Sequence, residues 1–190
     1  MTDAPLILTL ALDAATQAHP DALREEHFPP ARNYLAAHLT LFHHLPAEGS
    51  DQIAADLTEI CATRGPLSLT ASGVLFFGRG VAYGFAAPEL IAVRTELARR
   101  WWPWLIAQDR QQFRAHVTVQ NKVAPEQARA LHAQLSADFA PFAATERRLR
   151  PVRRNRRSTP PLALPRRAVG AGRGVSVRGS AGAWKMIPRR

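Results

Sequence analysis

His38-Leu39-Thr40-Leu41 and His116-Val117-Thr118-Val119 decide how this chain of 190 residues is read. Each segment is His-x-Thr-x with an aliphatic residue at both x positions. Side chains two apart on an extended strand share a face. A strand reading therefore sets His and Thr together on one face and buries the aliphatics on the other. Two such strands side by side would build a pocket of two imidazoles and two hydroxyls, a set suited to acid–base chemistry on a phosphodiester.

Outward from these segments, the pattern gives two similar halves. Leu6 to Leu12 reads as a strand, and Ala14 to Glu26 as a helix interrupted by Pro20. Phe28-Pro29-Pro30 stops any helix before the strand carrying His38. Ser50 suits an N-cap, after which Ile53, Leu57, Ile60 and Cys61 follow helical spacing. Leu67 to Phe77 and Val81 to Phe85 read as strands joined at Gly78-Arg79-Gly80. Pro88 and Glu89 open a helix running to Trp101, and Pro125 and Glu126 open another with Ala128, Leu131, Leu135 and Phe139 on one face. The strand Ala115 to Val119 lies between them and carries His116. Each His-x-Thr strand is followed by a turn and an amphipathic helix, which predicts an α+β protein of two related lobes.

The net charge of +10 is unevenly spread. Residues 1–145 hold 11 Lys and Arg against 14 Asp and Glu, whereas residues 146–190 hold 14 against 1. The expected organisation is one domain over 1–145 and an Arg/Pro/Gly-rich tail over 146–190, the composition of a disordered basic arm. A lone cysteine excludes an intrachain disulfide framework and suits a reducing cytoplasm, with Cys61 read as a small buried apolar residue. The short apolar run at Leu6 meets Asp13 and lacks a basic region before it, so neither a membrane span nor a secretory leader is expected.

The two tetrapeptides, their separation, and the flanking Asn33-Tyr34-Leu35-Ala36-Ala37 and Phe42-His43-His44-Leu45-Pro46 resemble the 2H phosphoesterase superfamily. The likeness is to its bacterial 2′-5′ RNA ligase and cyclic phosphodiesterase group, and it covers about residues 5–142. The resemblance implies two pseudo-symmetric lobes of antiparallel sheet and helices around a central cleft. It implies metal-independent opening of 2′,3′-cyclic phosphates on RNA ends or nucleotides, with no cofactor. The tail departs from the family, which ends in further strands rich in aromatics and Gly-Gly-Pro-Trp. Codons compatible with Pro161 to Val177, read one nucleotide later, permit a peptide beginning L-W-R-Y-L-G-G-P-W, which makes a frameshift the hypothesis for the tail.

Opening a cyclic phosphodiester requires a base for water and an acid for the leaving oxygen, and imidazoles serve both near neutral pH. His38 and His116 are the catalytic pair, with the roles of acid and base unassigned. Thr40 and Thr118 would donate to the non-bridging oxygens. Arg114, two before His116 on the same strand face, is a candidate phosphate contact, and Tyr34 and Phe42 are candidate contacts to substrate. His43 and His44 fit no metal-ligand spacing and read as loop histidines. Phe76 and Phe77 read as core, and the cluster of Trp101, Trp102 and Trp104 as the cap of a helix end. A monomer is expected, because the family's cleft lies within one chain. The alternative is a non-catalytic RNA-binding protein using the cleft or the basic tail.

Overall fold

The computed structural model describes residues 5–145, 175–179 and 182–188. Its elements are β1 (Leu6–Leu10), α1 (Ala14–His27), β2 (Leu39–Leu45), α2 (Ser50–Ala62), β3 (Ser68–Phe76) and β4 (Gly80–Ala86). They continue with α3 (Pro88–Arg100), β5 (His116–Asn121), α4 (Pro125–Ala137), β6 (Phe142–Thr145), β7 (Val175–Gly179) and β8 (Gly182–Pro188). The expected α+β class holds: the strands form one antiparallel sheet in the order β6-β3-β4-β5-β2-β1-β8-β7, accompanied by four α-helices. None of the described helices is long and apolar enough to cross a membrane.

Within the stretch expected to be a tail, β7 and β8 pair with each other, and β8 runs along β1 from Leu6↔Pro188 to Leu10↔Trp184. For those two segments the expectation of disorder is not met. Residues 146–174 lie outside the described residues, and the frameshift hypothesis falls largely on them.

The helices adjust the sequence reading at two places. Pro20 does not interrupt α1; it sits buried inside a continuous helix capped by Asp13, which accepts from the Ala15 and Thr16 amides at 2.9 and 3.0 Å. Ser50 is the first helical residue of α2 rather than its cap. A 3₁₀ turn over Ala47–Gly49 leads directly into that helix, so Gly49 takes the cap position.

The β3–β4 turn uses its glycines for different reasons. Gly78 has φ +76°, a left-handed conformation that favours glycine. Gly80 lies where a Cβ would come within 2.4 Å of the Gln120 carbonyl oxygen, so β5 can approach only a residue without a side chain.

Contacts fix which face of the sheet is covered. Tyr83 pairs with Val117 in the β4–β5 ladder and bonds His19 of α1, while His132 of α4 bonds the Val74 carbonyl. On the other side of the β2–β5 junction the Trp101 ring meets Phe42 edge-on, 5.2 Å between centroids. The core accordingly lies between helices and the face bearing Leu39, Phe42, Val117 and Val119, all fully buried. Cys61 is buried in it with Ile53, Leu57 and Ile60, as read.

Trp101 closes the α2–α3 seam, its indole N–H donating to Asp56 at 2.7 Å. Replacing it with Phe keeps most of the apolar area but leaves the buried carboxylate short of a donor. Trp101→Phe is therefore expected to cost about 1.5–3 kcal/mol in urea unfolding, the range for a hydrogen bond to a charged group. An unchanged midpoint would remove this bond from the account.

Candidate active site

Both motifs converge at the junction of β2 and β5, which among the described residues is a single bridge pair, Leu39↔Val117. Continuing that register by one residue sets His38 across from Thr118 and Thr40 across from His116. All four side chains then share the face opposite Leu39 and Val117, and they are half-buried while those two are buried. The histidines occupy a diagonal, for which paired strands give roughly 7–8 Å between backbone positions. With a single bridge the strands splay, opening a gap between the imidazoles.

The two rings are held by the same device. His38 Nδ1 lies 2.8 Å from the Ala36 carbonyl oxygen, and His116 Nδ1 lies 2.8 Å from that of Arg114. A carbonyl oxygen only accepts, so each Nδ1 carries the hydrogen and each neutral ring presents the lone pair of Nε2. Burial pushes the His116 pKa below the ordinary histidine value; the Arg114 carbonyl opposes this and the charge of nearby His43 adds to it.

Helix α1 determines where the two segments sit. Gln17, Asp21 and Arg24 follow the i, i+4, i+7 spacing of one helix face. Gln17 Nε2 donates to the Ala37 carbonyl at 2.6 Å, and Asp21 accepts from the Ala37 amide at 2.5 Å. Both contacts are made one residue before His38. Arg24, with 5% of its surface exposed, donates at 2.9 Å to the Thr118 carbonyl and at 2.9 Å to Asn33 Oδ1. One helix face thus grips both His-x-Thr segments. Burial holds the Arg24 pKa below the usual arginine value, with Asp21 acting in the opposite direction.

Beyond Thr40, β2 departs from strict alternation. Its register against β1 slips by a residue between Thr9↔Thr40 and Leu8↔Phe42, and again before Leu6↔Leu45. Each slip adds a residue to β2, as a bulge does. Leu41 and Phe42 therefore both turn to the core, and His43 and His44 both turn to the face of Thr40, in agreement with their burial.

This corrects two expectations. Phe42 does not contact substrate: its ring is fully buried between Trp101 and Arg94. His43 and His44 are strand residues rather than loop residues. Asp109, almost fully buried, accepts from the His43 and His44 amides at 3.0 and 3.1 Å and lies 2.8 Å from His43 Nδ1. Arg94 of α3 braces it by donating to the Asp109 carbonyl.

Phe77, expected in the core, is 48% exposed, and its ring meets that of His116 edge-on at 5.2 Å. Phe76 is also exposed, against His132. Arg114 is exposed, two residues before β5 begins. Tyr34 is exposed and lines a cavity of about 230 Å³ with Asp21, Arg24 and Asn33, on the α1 side of the clamp. A cavity of about 660 Å³, lined by His19, Tyr83, Phe139 and Phe142, contains none of the four motif side chains. Among the described residues no group of three or more His, Cys, Asp or Glu is arranged to hold a metal ion.

Sequence reading missed the α1 clamp, Asp109 and Phe77. The i, i+4, i+7 polar stripe was visible as a signal; the pairing of Asp109 with a strand 65 residues away was not.

Arg24→Ala removes two charged hydrogen bonds from a buried position. The expected loss is about 2–4 kcal/mol in denaturant unfolding. A loss below half a kilocalorie would mean the clamp contributes nothing to the folded state.

A family model described as the 2′-5′ RNA ligase superfamily matches residues 12–158, a stretch that contains both motifs and all of the clamp. No curated protein matches the chain.

Proposed function

The chain belongs to the 2′-5′ RNA ligase superfamily, and we propose that it is a 2H-type phosphodiesterase opening 2′,3′-cyclic phosphates on RNA ends or nucleotides. The observation that carries this reading is the pair of imidazoles on one sheet face. Each has its Nδ1 committed to a carbonyl two residues before it, at 2.8 Å. That bond fixes each ring's tautomer, so Nε2 is the atom through which a proton would be exchanged.

The lowered pKa of His116 keeps it neutral at neutral pH, which suits the general base. In the forward direction His116 Nε2 takes a proton from water as its oxygen bonds to phosphorus. The P–O3′ bond breaks, and His38 Nε2, protonated, gives its proton to O3′, leaving a 2′-phosphate. Thr40 and Thr118 donate to the non-bridging oxygens as charge gathers on them. With a 5′-hydroxyl in place of water the same steps join two ends through a 2′-5′ linkage, the P–O3′ bond again breaking, so ligation needs no further group. No step calls on a metal or a cofactor.

The same element order, strand-helix-strand-helix-strand, runs from β1 to β3 and from β4 to β6. Each run carries its motif at the second strand, which supports reading the halves as related lobes. Phe77 beside His116 offers an exposed ring to a nucleobase.

His38→Ala and His116→Ala are each expected to lower turnover of a 2′,3′-cyclic nucleotide by about 10²–10⁴-fold, the usual worth of a general acid or base. Cooperative unfolding should be retained. Near-normal turnover by either variant would end the proposal, and binding without turnover by the wild type would favour the RNA-binding alternative.

The pH profile supplies a second check. A base must be deprotonated, so kcat/KM should rise with pH along an acid limb centred below 6.5, the ordinary value from which His116 is lowered. A limb above that value would reverse the assignment of roles. Phe77→Ala should raise KM for nucleotides about fivefold or more, given the worth of base stacking. An unchanged KM removes that ring from the site.

A further inference from the structure

Each motif strand slips in register directly after its threonine. In β5 the pairs Ala82↔Thr118 and Val81↔Gln120 leave Val119 as the added residue, just as Leu41 is added in β2. Val119 and Gln120 therefore both turn to the helix side, and both are buried. The second residue turned in is Phe42 in β2 and Gln120 in β5. Phe42 packs against Trp101, which closes the seam between α2 and α3. Gln120 brings an amide to the corresponding step, and its buried Oε1 has no hydrogen-bond partner among the described residues.

The seam above Gln120 is open. Arg100 and Trp101 tie the end of α3 to Glu59 and Asp56 of α2. No hydrogen bond or ion pair joins α1 to α4 among the described residues, and a cavity of about 480 Å³ lies between them with Gln120 in its lining. Phe28, Pro29 and Leu131 give this cavity apolar walls, and Gln127 and Gln134 of α4 add two further amides. Glu26 contributes a carboxylate, and no Lys or Arg lines the cavity among the described residues. An anionic ligand would meet that carboxylate with no cation to offset it, so the chemistry favours an uncharged one.

A buried carbonyl oxygen without a donor is costly, and a ligand N–H that reaches it relieves that cost. A carboxamide carries a donor and an acceptor in one plane, the pattern that matches the N6 amine and ring nitrogen of adenine. Apolar walls suit the flat ring, and the volume falls within the usual range for small-molecule sites.

We infer that the α1–α4 cavity binds an uncharged 6-aminopurine, as free base or nucleoside, with the Gln120 amide reading its amino edge. The cavity lies on the helix side of the sheet, and the motif side chains occupy the other face. The site therefore stands or falls independently of the phosphodiesterase reading.

The test is calorimetric titration of the full chain with adenosine and with purine riboside, which lacks the 6-amino group. Adenosine should bind about tenfold or more tightly than purine riboside, because only adenosine supplies the missing donor. Gln120→Leu should remove that discrimination. Ala130 is exposed on α4 and lines the cavity, so Ala130→Trp should fold, fill the space and abolish adenosine binding. His38→Ala should bind adenosine as the wild type does.

Absence of adenosine binding at millimolar concentration overturns the site, as does equal affinity for the two nucleosides. Binding that survives Ala130→Trp but is lost in His38→Ala would place the nucleoside between the motif strands and overturn it as well. Should Gln120→Leu fail to fold, Ala130→Trp and the two nucleosides still decide the matter.

Discussion

β2 and β5 touch through one bridge pair, Leu39↔Val117, and the whole site depends on how that weak junction is held. A continuous ladder would fix the two motifs but close the space between them. A junction without other ties would leave two histidines free to drift. Side chains from outside the sheet resolve this. Gln17, Asp21 and Arg24 bind Ala37 and Thr118 from one end of the gap, and Asp109, braced by Arg94, binds the open edge of β2 at the other. The backbone groups that a ladder would have satisfied are satisfied by these side chains instead.

The clamps rely on buried arginine, a costly choice in isolation. Arg24 and Arg94 are both nearly fully buried, and burial lowers both pKa values. Each lies flat against an aromatic ring, Arg24 on Phe28 at 4.0 Å and Arg94 on Phe42 at 4.6 Å, and each reaches a backbone carbonyl beside the site. A planar guanidinium suits this dual contact in a way an ammonium would not. The two arginines come from α1 and α3, the first helix of each half: Arg24 reaches β5 at Thr118, while Arg94 sits over Phe42 of β2 and reaches the loop before β5 at Asp109.

The antiparallel strands, the four helices and the placement of both motifs were legible because they rest on local periodicity. His38, Thr40, His116 and Thr118 needed only the two-residue alternation to be put on one face. The same alternation misplaced Phe42, since it assigns 38, 40 and 42 to one side, and the added Leu41 reverses everything after it. Nothing in Leu41-Phe42-His43-His44 marks a bulge; it shows only once β1 is laid alongside. Pro20 failed as a helix breaker for a related reason, because contacts at Gln17 and Arg24 hold the helix on both sides of it. Phe77 looked like core by composition, yet it follows β3 at a turn where chain direction, not hydrophobicity, sets its exposure.

Charge at the site is local rather than global. Residues 1–145 carry more acidic than basic side chains, so the body as a whole does not attract an anion. Its acidic groups near the junction are already engaged: Asp21 with the Ala37 amide and Asp109 with the amides of His43 and His44. What they leave at the junction are the two threonine hydroxyls and the two motif imidazoles, all half-buried. On the phosphodiesterase reading, an anion at this junction is held by local hydroxyl and imidazole groups rather than by the charge of the body. Such an arrangement favours substrates that can reach deep between the strands with a phosphate leading, and gives little advantage to a polyanion lying across the outer surface. The phosphodiesterase reading therefore does not call on the strong basic charge of residues 146–190; it rests on the groups that β2 and β5 present beside their single bridge.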